Sequence, residues 1–281
     1  MLINSYATTQ EFKNFKTQRA QSTINTDAAD DLVIGSLLES ASRYIDDQCR
    51  RKFYPSIETR YFNVPEDQNN DLLLFVDADL LEITTLTNGD TTTITSTSYN
   101  LLPRNVSPKY GIKLIPTSNI YWMNDSTGNG EFVIPVYGVW GFHNNYSQRA
   151  WQNVGTLGSD LNISSLSATL TAGHAVLTDM LVKIDSELML VSVSTNTMTI
   201  LNRGENGSTA ATHSSGAVVY AWIPQPEIKN AVLLIASNMY SARAGQVANG
   251  KVTVTNAGVV IKPEDVPTIA QQTIQAFTRV A

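Results

Sequence analysis

The stretch IDSELMLVSVSTNTMTIL, residues 184–201, decides the fold of the middle of the chain. It contains two short apolar runs, at 187–193 and 197–201, and Ser194-Thr195-Asn196 separates them. Short apolar runs bounded by turn residues predict strands. Further strand candidates lie at 166–171, 175–178, 181–184 and 217–222. Six short strands so close together predict a small β sandwich or barrel.

The composition of the whole chain also favours strands. Charged residues make up 16% of the 281 residues, below the roughly 25% of an ordinary domain. Ser and Thr replace them, and Thr favours strands while Ser favours turns. We find no apolar run long enough for a membrane span and no apolar leader, so we expect neither a transmembrane helix nor a signal peptide. The single cysteine, Cys49, excludes a disulfide framework.

The charge balance argues against a protein that holds nucleic acid tightly. The net charge is −6, whereas phosphate-binding proteins show a basic excess or a basic stripe. The densest basic cluster, Arg50-Arg51-Lys52, follows Asp46 and Asp47. We interpret it as the end of a helix, where cations oppose the helix dipole. We therefore expect no sequence-specific DNA binding and no membrane partner.

Helices are predicted where apolar residues recur three and four positions apart. They cover 9–17, 27–53, 226–244 and a last segment from 266 to the end. Asp27 is a preferred N-cap for the second of them. The helices at 27–53 and 226–244 both have a wide apolar stripe, so we expect them to pack against each other as the core of the subunit.

A second group of strands is predicted before residue 142. Its members are 59–64, 72–76, 81–86, 91–95, 112–115 and 132–140. Asn88-Gly89-Asp90 predicts a hairpin between the third and fourth of these, and alternating residues at 251–261 predict another hairpin. Residues 143–165 are rich in Asn, Ser and Gly, which is typical of a linker. We therefore divide the chain into a core domain, 1–142 with 223–281, and an inserted β-rich domain, 143–222.

No catalytic or metal-binding motif is visible in the sequence. The three histidines, His143, His174 and His213, stand outside any HExxH pattern, and there is no G-x-S-x-G, Walker A loop or cysteine pair. A catalytic histidine needs an oriented partner. We therefore expect no enzymatic activity, no cofactor and no metal. A hydrolase stays open as an alternative if a histidine and a carboxylate meet in a pocket.

The order of these elements, with specific residues, resembles the head–tail connector (adaptor) proteins of tailed bacteriophages. The similarity lies in 6–13, 30–55, 79–86, 99–103, 138–142 and 226–243. It covers roughly 1–142 and 223–281. Within the insert, 184–191 and 201–213 look like a small β module of various phage virion proteins.

The resemblance implies a fold class and a function. The fold class is α+β: a helical core of two long helices plus a C-terminal helix, an antiparallel β subdomain, and the inserted sandwich or barrel. The function is that of a structural virion protein, assembled in the host cytoplasm and located at the head–tail junction. Such proteins form a ring, usually of twelve copies, that joins the portal protein to the neck or tail-completion protein. The ring extends the channel through which DNA passes.

The sequence leaves two points open. The main alternative function is a β-rich binding module of a phage tail, in which Trp and Asn of the insert recognise a host surface or glycan. The C-terminal segment, 263–281, either docks on its own subunit or reaches the portal or a neighbouring subunit. For the second case the predicted partner-binding residues are Ile269, Ile274, Phe277 and Arg279.

Overall fold

Two antiparallel sheets with eleven strands are the largest part of the regular structure. A computed structural model describes residues 4–20, 28–66, 72–243, 253–255, 258–260 and 266–279. The chain divides into two units. One unit contains Met1–Arg51 and Ala150–Ala281, and the other contains Lys52–Arg149.

The expectation of a helical core built on two long helices is wrong, because the described chain is mostly antiparallel sheet. The physical reason is that each sheet buries an apolar cluster of its own. The cluster of the first sheet includes Leu74, Ile112, Leu114, Ile134 and Trp140. The cluster of the second includes Val182, Ile184, Met189, Val191, Ile200 and Val219. The apolar stripes of the helices are therefore one part of the buried interior and not its centre.

Four helices accompany the sheets. They are α1 (Thr9–Ala20), α2 (Ala28–Cys49), α3 (Pro226–Arg243) and α4 (Thr268–Phe277). As predicted, α2 packs against α3, and Leu38 and Ile235 on these helices are fully buried. The predicted N-cap Asp27 lies outside the described residues. The second helix ends earlier than predicted because Arg50 adopts a left-handed conformation with φ 53°.

The first sheet belongs to the unit Lys52–Arg149. Its strands are β1 (Ser56–Phe62), β2 (Leu73–Leu86), β3 (Tyr99–Leu102), β4 (Lys109–Leu114) and β5 (Ile134–Trp140), in the order β1-β5-β2-β4-β3. The strands predicted at 72–76 and 81–86 are one irregular strand, β2, whose register shifts against both of its neighbours. Through its first part β2 pairs with β4, and from Leu80 onward it pairs with β5.

The chain reverses at Asn88-Gly89-Asp90 as predicted, since the amides of Asn88 and Ile94 donate to the carbonyls of Thr92 and Leu86, each at 2.8 Å. The strand predicted at 91–95 is wrong, because these residues form no strand. A single bridge joins Thr87 and Thr93. The side chain of Asn88 is buried; it donates to the carbonyl of Tyr121 at 2.8 Å and accepts from the amide of Met123 at 2.9 Å. These bonds also hold the turn against the segment that contains Tyr121 and Met123.

The second sheet contains most of the predicted insert. Its strands are β6 (Trp151–Thr156), β7 (Ser167–Thr169), β8 (Met180–Ile184), β9 (Glu187–Ser194), β10 (Thr197–Asn202) and β11 (Val218–Trp222), in the order β6-β11-β8-β9-β10-β7. A bridge between Leu157 and Leu170 joins the two ends of this order. The amide of Thr171 also donates to the carbonyl of Thr156 at 2.9 Å, so the sheet curls until its edges meet.

Two strand predictions in this region are wrong. Residues 175–178 form no strand, and 151–156 form β6 although they lie in the predicted linker. Among the residues of β6 only Val154 is buried, so its apolar signal is weak. Trp151 pairs with Trp222, and the amide of Ile223 donates to the carbonyl of Ala150 at 2.8 Å. The two ends of the sheet's sequence therefore lie side by side.

The helices and the second sheet share one unit. The side-chain amides of Asn4 and Asn206 bond to each other reciprocally at 2.8 and 2.9 Å, and Thr9 donates to Asp179 at 2.9 Å. That 143–222 folds as a separate inserted domain stays a prediction. The hairpin predicted at 251–261 is confirmed, since β12 (Thr253–Thr255) pairs with β13 (Gly258–Val260).

Two leucines of α2 test the packing of this helix. Leu38 is 0% exposed and Leu32 is 74% exposed. We expect Leu38→Ala to lower the free energy of unfolding by about 2–5 kcal/mol, because it opens a cavity in a packed interior. Leu32→Ala should change it by less than about 0.5 kcal/mol. Urea unfolding of both variants measures the difference, and equal effects would contradict the packing described here.

Candidate functional site

The C-terminal helix α4 packs against α2 and α3 of its own subunit. Ala270 and Ile274 are buried there. The amide of Arg279 donates to the carbonyl of Cys49 at 2.9 Å, so the segment after α4 is held against the end of α2. The sequence left open whether this segment docks on its own subunit or reaches another protein. Ile274 docks on its own subunit.

The four predicted partner-binding residues are not equivalent in the structure. Ile274 is buried, Phe277 and Arg279 are half-buried, and Ile269 is 62% exposed. Ile269 is therefore the large apolar side chain of α4 that is open to a partner. That any of the four binds a partner stays a prediction.

Cys49 contributes to this docking through its side chain. Its thiol donates to the carbonyl of Ile274 at 3.6 Å. Burial, together with the nearby charge of Asp46, raises the pKa of the Cys49 thiol to about 12. Because the thiolate is the nucleophilic form, this shift disfavours reaction of Cys49 as a nucleophile at neutral pH.

The densest group of buried charges lies in the second sheet, around Glu187. Arg203 donates to both carboxylate oxygens of Glu187, from Nε at 2.9 Å and from Nη2 at 2.7 Å. The backbone amides of Gly204 and Ala211 donate to the same carboxylate at 3.2 and 2.9 Å. His213 Nε2 lies 2.9 Å from it. Five donors therefore surround a side chain that is fully buried.

The same histidine joins a second carboxylate. His213 Nδ1 lies 2.7 Å from Oδ2 of Asp185, so each ring nitrogen faces an oxygen that accepts. Both contacts are hydrogen bonds only when both nitrogens carry a proton.

Electrostatics stabilise the ionised form of Glu187. Burial by itself raises the pKa of this carboxyl group. The hydrogen bonds from Arg203, Ala211 and His213 and the positive charge of Arg203 outweigh burial and lower the pKa to about 2. Arg203 also donates to the carbonyls of Asn162, Ser165 and Ala211. The cluster thereby joins β9 to the loops that precede β7 and β11.

This cluster has the residue types of a hydrolytic site but not its accessibility. Glu187 and the His213 side chain are 0% exposed, and a catalytic histidine has to reach its substrate. The other two histidines make local bonds: the amide of Asn145 donates to His143 Nδ1 at 3.0 Å, and His174 Nε2 lies 2.8 Å from the carbonyl of Thr195. We therefore interpret the Glu187 cluster as structural.

Sequence reasoning did not identify the ion pair of Glu187 and Arg203. Both residues lie in the two stretches that resemble the phage β module, 184–191 and 201–213. A buried carboxylate needs a partner. Glu187 begins an apolar strand and Arg203 directly follows a later one, so the sequence could have indicated that the two form an ion pair.

The Trp side chains of the insert do not form an open platform. Trp151 and Trp222 contact each other edge to face, with ring centroids 5.1 Å apart. Lys183 Nζ lies 4.6 Å from the centroid of Trp151. Because a glycan stacks on a free aromatic face, this arrangement does not favour the alternative of a glycan-binding insert.

An exposed aromatic surface lies on the first sheet and was not predicted. Tyr61, Phe75 and Phe132 are 58%, 71% and 68% exposed. They line one cleft of about 420 Å³, which we call the aromatic cleft, between the segment 61–66 and the start of β2. Phe75 lies on the outer face because its neighbours Leu74 and Val76 point into the core.

Within the described parts of the chain, no group of three or more His, Cys, Asp or Glu side chains could hold a metal ion. The helices of those same parts are too short or too polar to cross a membrane. No protein-family model matches the sequence, and no curated protein is significantly similar to it.

The Glu187 cluster makes a prediction about stability and pH. We expect Glu187→Gln to lower the free energy of unfolding by about 3–5 kcal/mol at pH 7, because it leaves the buried guanidinium of Arg203 without its carboxylate partner. The matched control is Glu205→Gln. Glu205 is a nearby carboxylate that accepts an exposed hydrogen bond from Asn202, so this substitution should change the free energy of unfolding by less than about 0.5 kcal/mol.

The pH dependence follows from the direction of the pKa shift. A carboxyl group whose pKa is lowered on folding stabilises the protein above its ordinary pKa of about 4.3, and this stabilisation is lost as the pH falls. We expect urea unfolding of the wild type to show this loss between about pH 4.3 and pH 2. The Glu187→Gln variant should lack that component, and an unchanged acid dependence would contradict the role given to Glu187.

Proposed function

We propose that this protein is a structural, non-enzymatic component of a phage virion. Its copies form a ring that joins the portal of the head to the neck or tail and extends the DNA channel. The proposal places the protein at the head–tail junction after assembly in the host cytoplasm. It rests first on the resemblance of 1–142 and 223–281 to connector proteins. In the structure, stretches of this chain that carry the resemblance lie in α2, β2, β5 and α3.

The observation that carries the proposal is the aromatic cleft. Three large aromatic side chains, Tyr61, Phe75 and Phe132, are each more than half exposed around one depression. Grouped exposed apolar side chains are unfavourable in a lone subunit and mark interaction surfaces. In an assembled ring a neighbouring copy covers such a surface. An enzyme would instead need a reactive site that substrate can reach, and the Glu187 cluster is closed to substrate.

The charge of the chain suits a channel through which DNA slides. A net charge of −6 does not attract the phosphate backbone, and a basic lumen would slow its passage. We therefore propose that DNA passes without sequence-specific contacts.

Native mass spectrometry of the purified full-length chain, alone and with the portal protein, tests the proposal. We expect a closed ring, with twelve copies as the expected number, and a ring seen end-on in electron micrographs. A chain that stays monomeric at all concentrations, with and without the portal, would contradict it.

The C-terminal helix offers a test of partner binding. Ile269→Asp places a charge on the exposed face of α4, so it should leave the free energy of unfolding unchanged and reduce attachment to portal-bearing heads. Gln272→Asp adds the same charge at another exposed position of α4 and should leave attachment unchanged. If Ile269→Asp attaches with normal occupancy, α4 serves only its own subunit.

A further inference from the structure

The aromatic cleft has a chemical character that restricts what can occupy it. Its walls are the rings of Tyr61, Phe75 and Phe132 and the apolar side chains of Val64, Pro65 and Leu73. The charged residues that line it, Glu66 and Asp77, are both acidic. An apolar depression with an acidic rim suits a compact apolar group next to a cation.

The acidic character of the rim is only partly offset. Arg60 Nη1 lies 3.7 Å from Oδ1 of Asp77, and Arg60 is also 2.6 Å from a carboxylate oxygen of Glu58. One arginine therefore serves two carboxylates. The Asp77 side chain is 78% exposed, so a second chain can reach it.

A complementary surface exists elsewhere on the same sheet. The turn between β3 and β4, residues 103–108, presents four consecutive exposed residues, 103–106. Val106 is 56% exposed, and the exposed cation Arg104 stands two positions before it. We call this segment the 103–108 turn.

The 103–108 turn is held in shape before it meets a partner. Lys109 Nζ donates to three of its carbonyls, those of Pro103, Arg104 and Val106, at 2.7, 3.0 and 2.6 Å. A preformed projection loses little conformational entropy when it binds. The turn therefore combines an apolar tip, a cation and a rigid base.

The turn does not fill the cleft of its own subunit. Lys109, at the base of the turn, pairs with Leu80 of β2, whereas the cleft borders β2 at Phe75. Both surfaces are exposed at the same time in one copy, so each is open to another copy.

We propose that the 103–108 turn of one copy inserts into the aromatic cleft of the next, with Val106 among the aromatic rings and Arg104 beside Asp77. This inference rests on the proposed ring, and it names the surfaces by which the ring closes. The contact is head to tail, because two different surfaces meet and each copy keeps one of each for its neighbours. Contacts of this kind build rings when the rotation between copies closes.

A charge exchange tests the pairing. Asp77→Arg and Arg104→Asp should each raise the concentration needed for half-maximal assembly about tenfold or more, which corresponds to about 1.4 kcal/mol. The double variant restores opposite charges and should assemble within about threefold of the wild type. Arg149→Asp, the same change at another exposed arginine of this unit, is the control and should assemble normally. Sedimentation velocity of the full chain measures all four.

The outcomes separate this inference from the proposed function. If the single variants assemble normally, or the double variant does not recover, the pairing is wrong while the ring stands. If the single variants form rings but no longer attach to portal-bearing heads, the cleft receives the portal and the inference is again overturned. A wild type that never forms an oligomer removes the proposed function and the inference together.

Cysteine crosslinking gives an independent measurement if a charge variant fails to fold. The double variant Phe75→Cys with Val106→Cys should give a ladder of disulfide-linked oligomers after mild oxidation. Phe75→Cys with Thr97→Cys, where Thr97 is exposed outside the 103–108 turn, should give no ladder. The natural Cys49 is buried and stays out of the reaction. Absence of the ladder in the first variant, with rings present, would overturn the pairing.

Discussion

Each sheet in this protein has to bury one of its faces, and the architecture follows from how the two sheets do so. An antiparallel sheet with a single buried face leaves its other face and its edges to solvent or to a partner. The second sheet resolves this by curling until the bridge between Leu157 and Leu170 joins its ends. The first sheet stays open, with β1 and β3 as its edge strands. The exposed aromatic side chains occur on the open sheet, where a further copy can cover them.

The second sheet is small, and its apolar cluster is supplemented by charge. Glu187 collects Arg203, His213 and two backbone amides in its interior. Without that carboxylate the loop between β10 and β11 has few apolar side chains to hold it. A buried ion pair stabilises little compared with apolar packing, but removing one partner is costly. The cluster therefore fixes the path of the loop more than it adds to stability, and its residues resemble catalytic ones only in type.

The sequence predicts well those elements whose signal is local and strong. The helices at 28–49 and 226–243 have an apolar stripe of regular period, and the strands β8 to β11 are short apolar runs between turn residues, so their limits are nearly right. The failures have physical causes. β6 is a strand with a single buried residue, Val154, so it lacks an apolar pattern.

The strand predicted at 91–95 fails for another reason. The Asn88 side chain bonds to the backbone of Tyr121 and Met123, and local sequence does not reveal such distant contacts. The predicted helical core fails because periodicity detects a helix but not its share of the interior. The same limit applies to the predicted partner-binding residues, because periodicity does not show which face of a helix is covered. Ile269 and Ile274 have the same side chain on one short helix, and only the packing of α4 shows that Ile274 is enclosed and Ile269 is open. The aromatic cleft joins 61–66, the start of β2 and Phe132, which no local pattern brings together.

Assembly through such preformed surfaces has a physical consequence for the proposed ring. A cleft bordered by paired strands and a turn held by Lys109 need little reordering on contact, so most of the gain from covering the aromatic rings is available for association. The rim charges then select the correct partner surface, since a like charge opposite Asp77 is unfavourable. In an acidic chain, copies repel one another at long range, and such repulsion disfavours random association. The proposed ring of acidic subunits therefore depends on a specific local contact between an apolar tip, a cation and a carboxylate, and the open sheet contains both of the surfaces proposed for that contact.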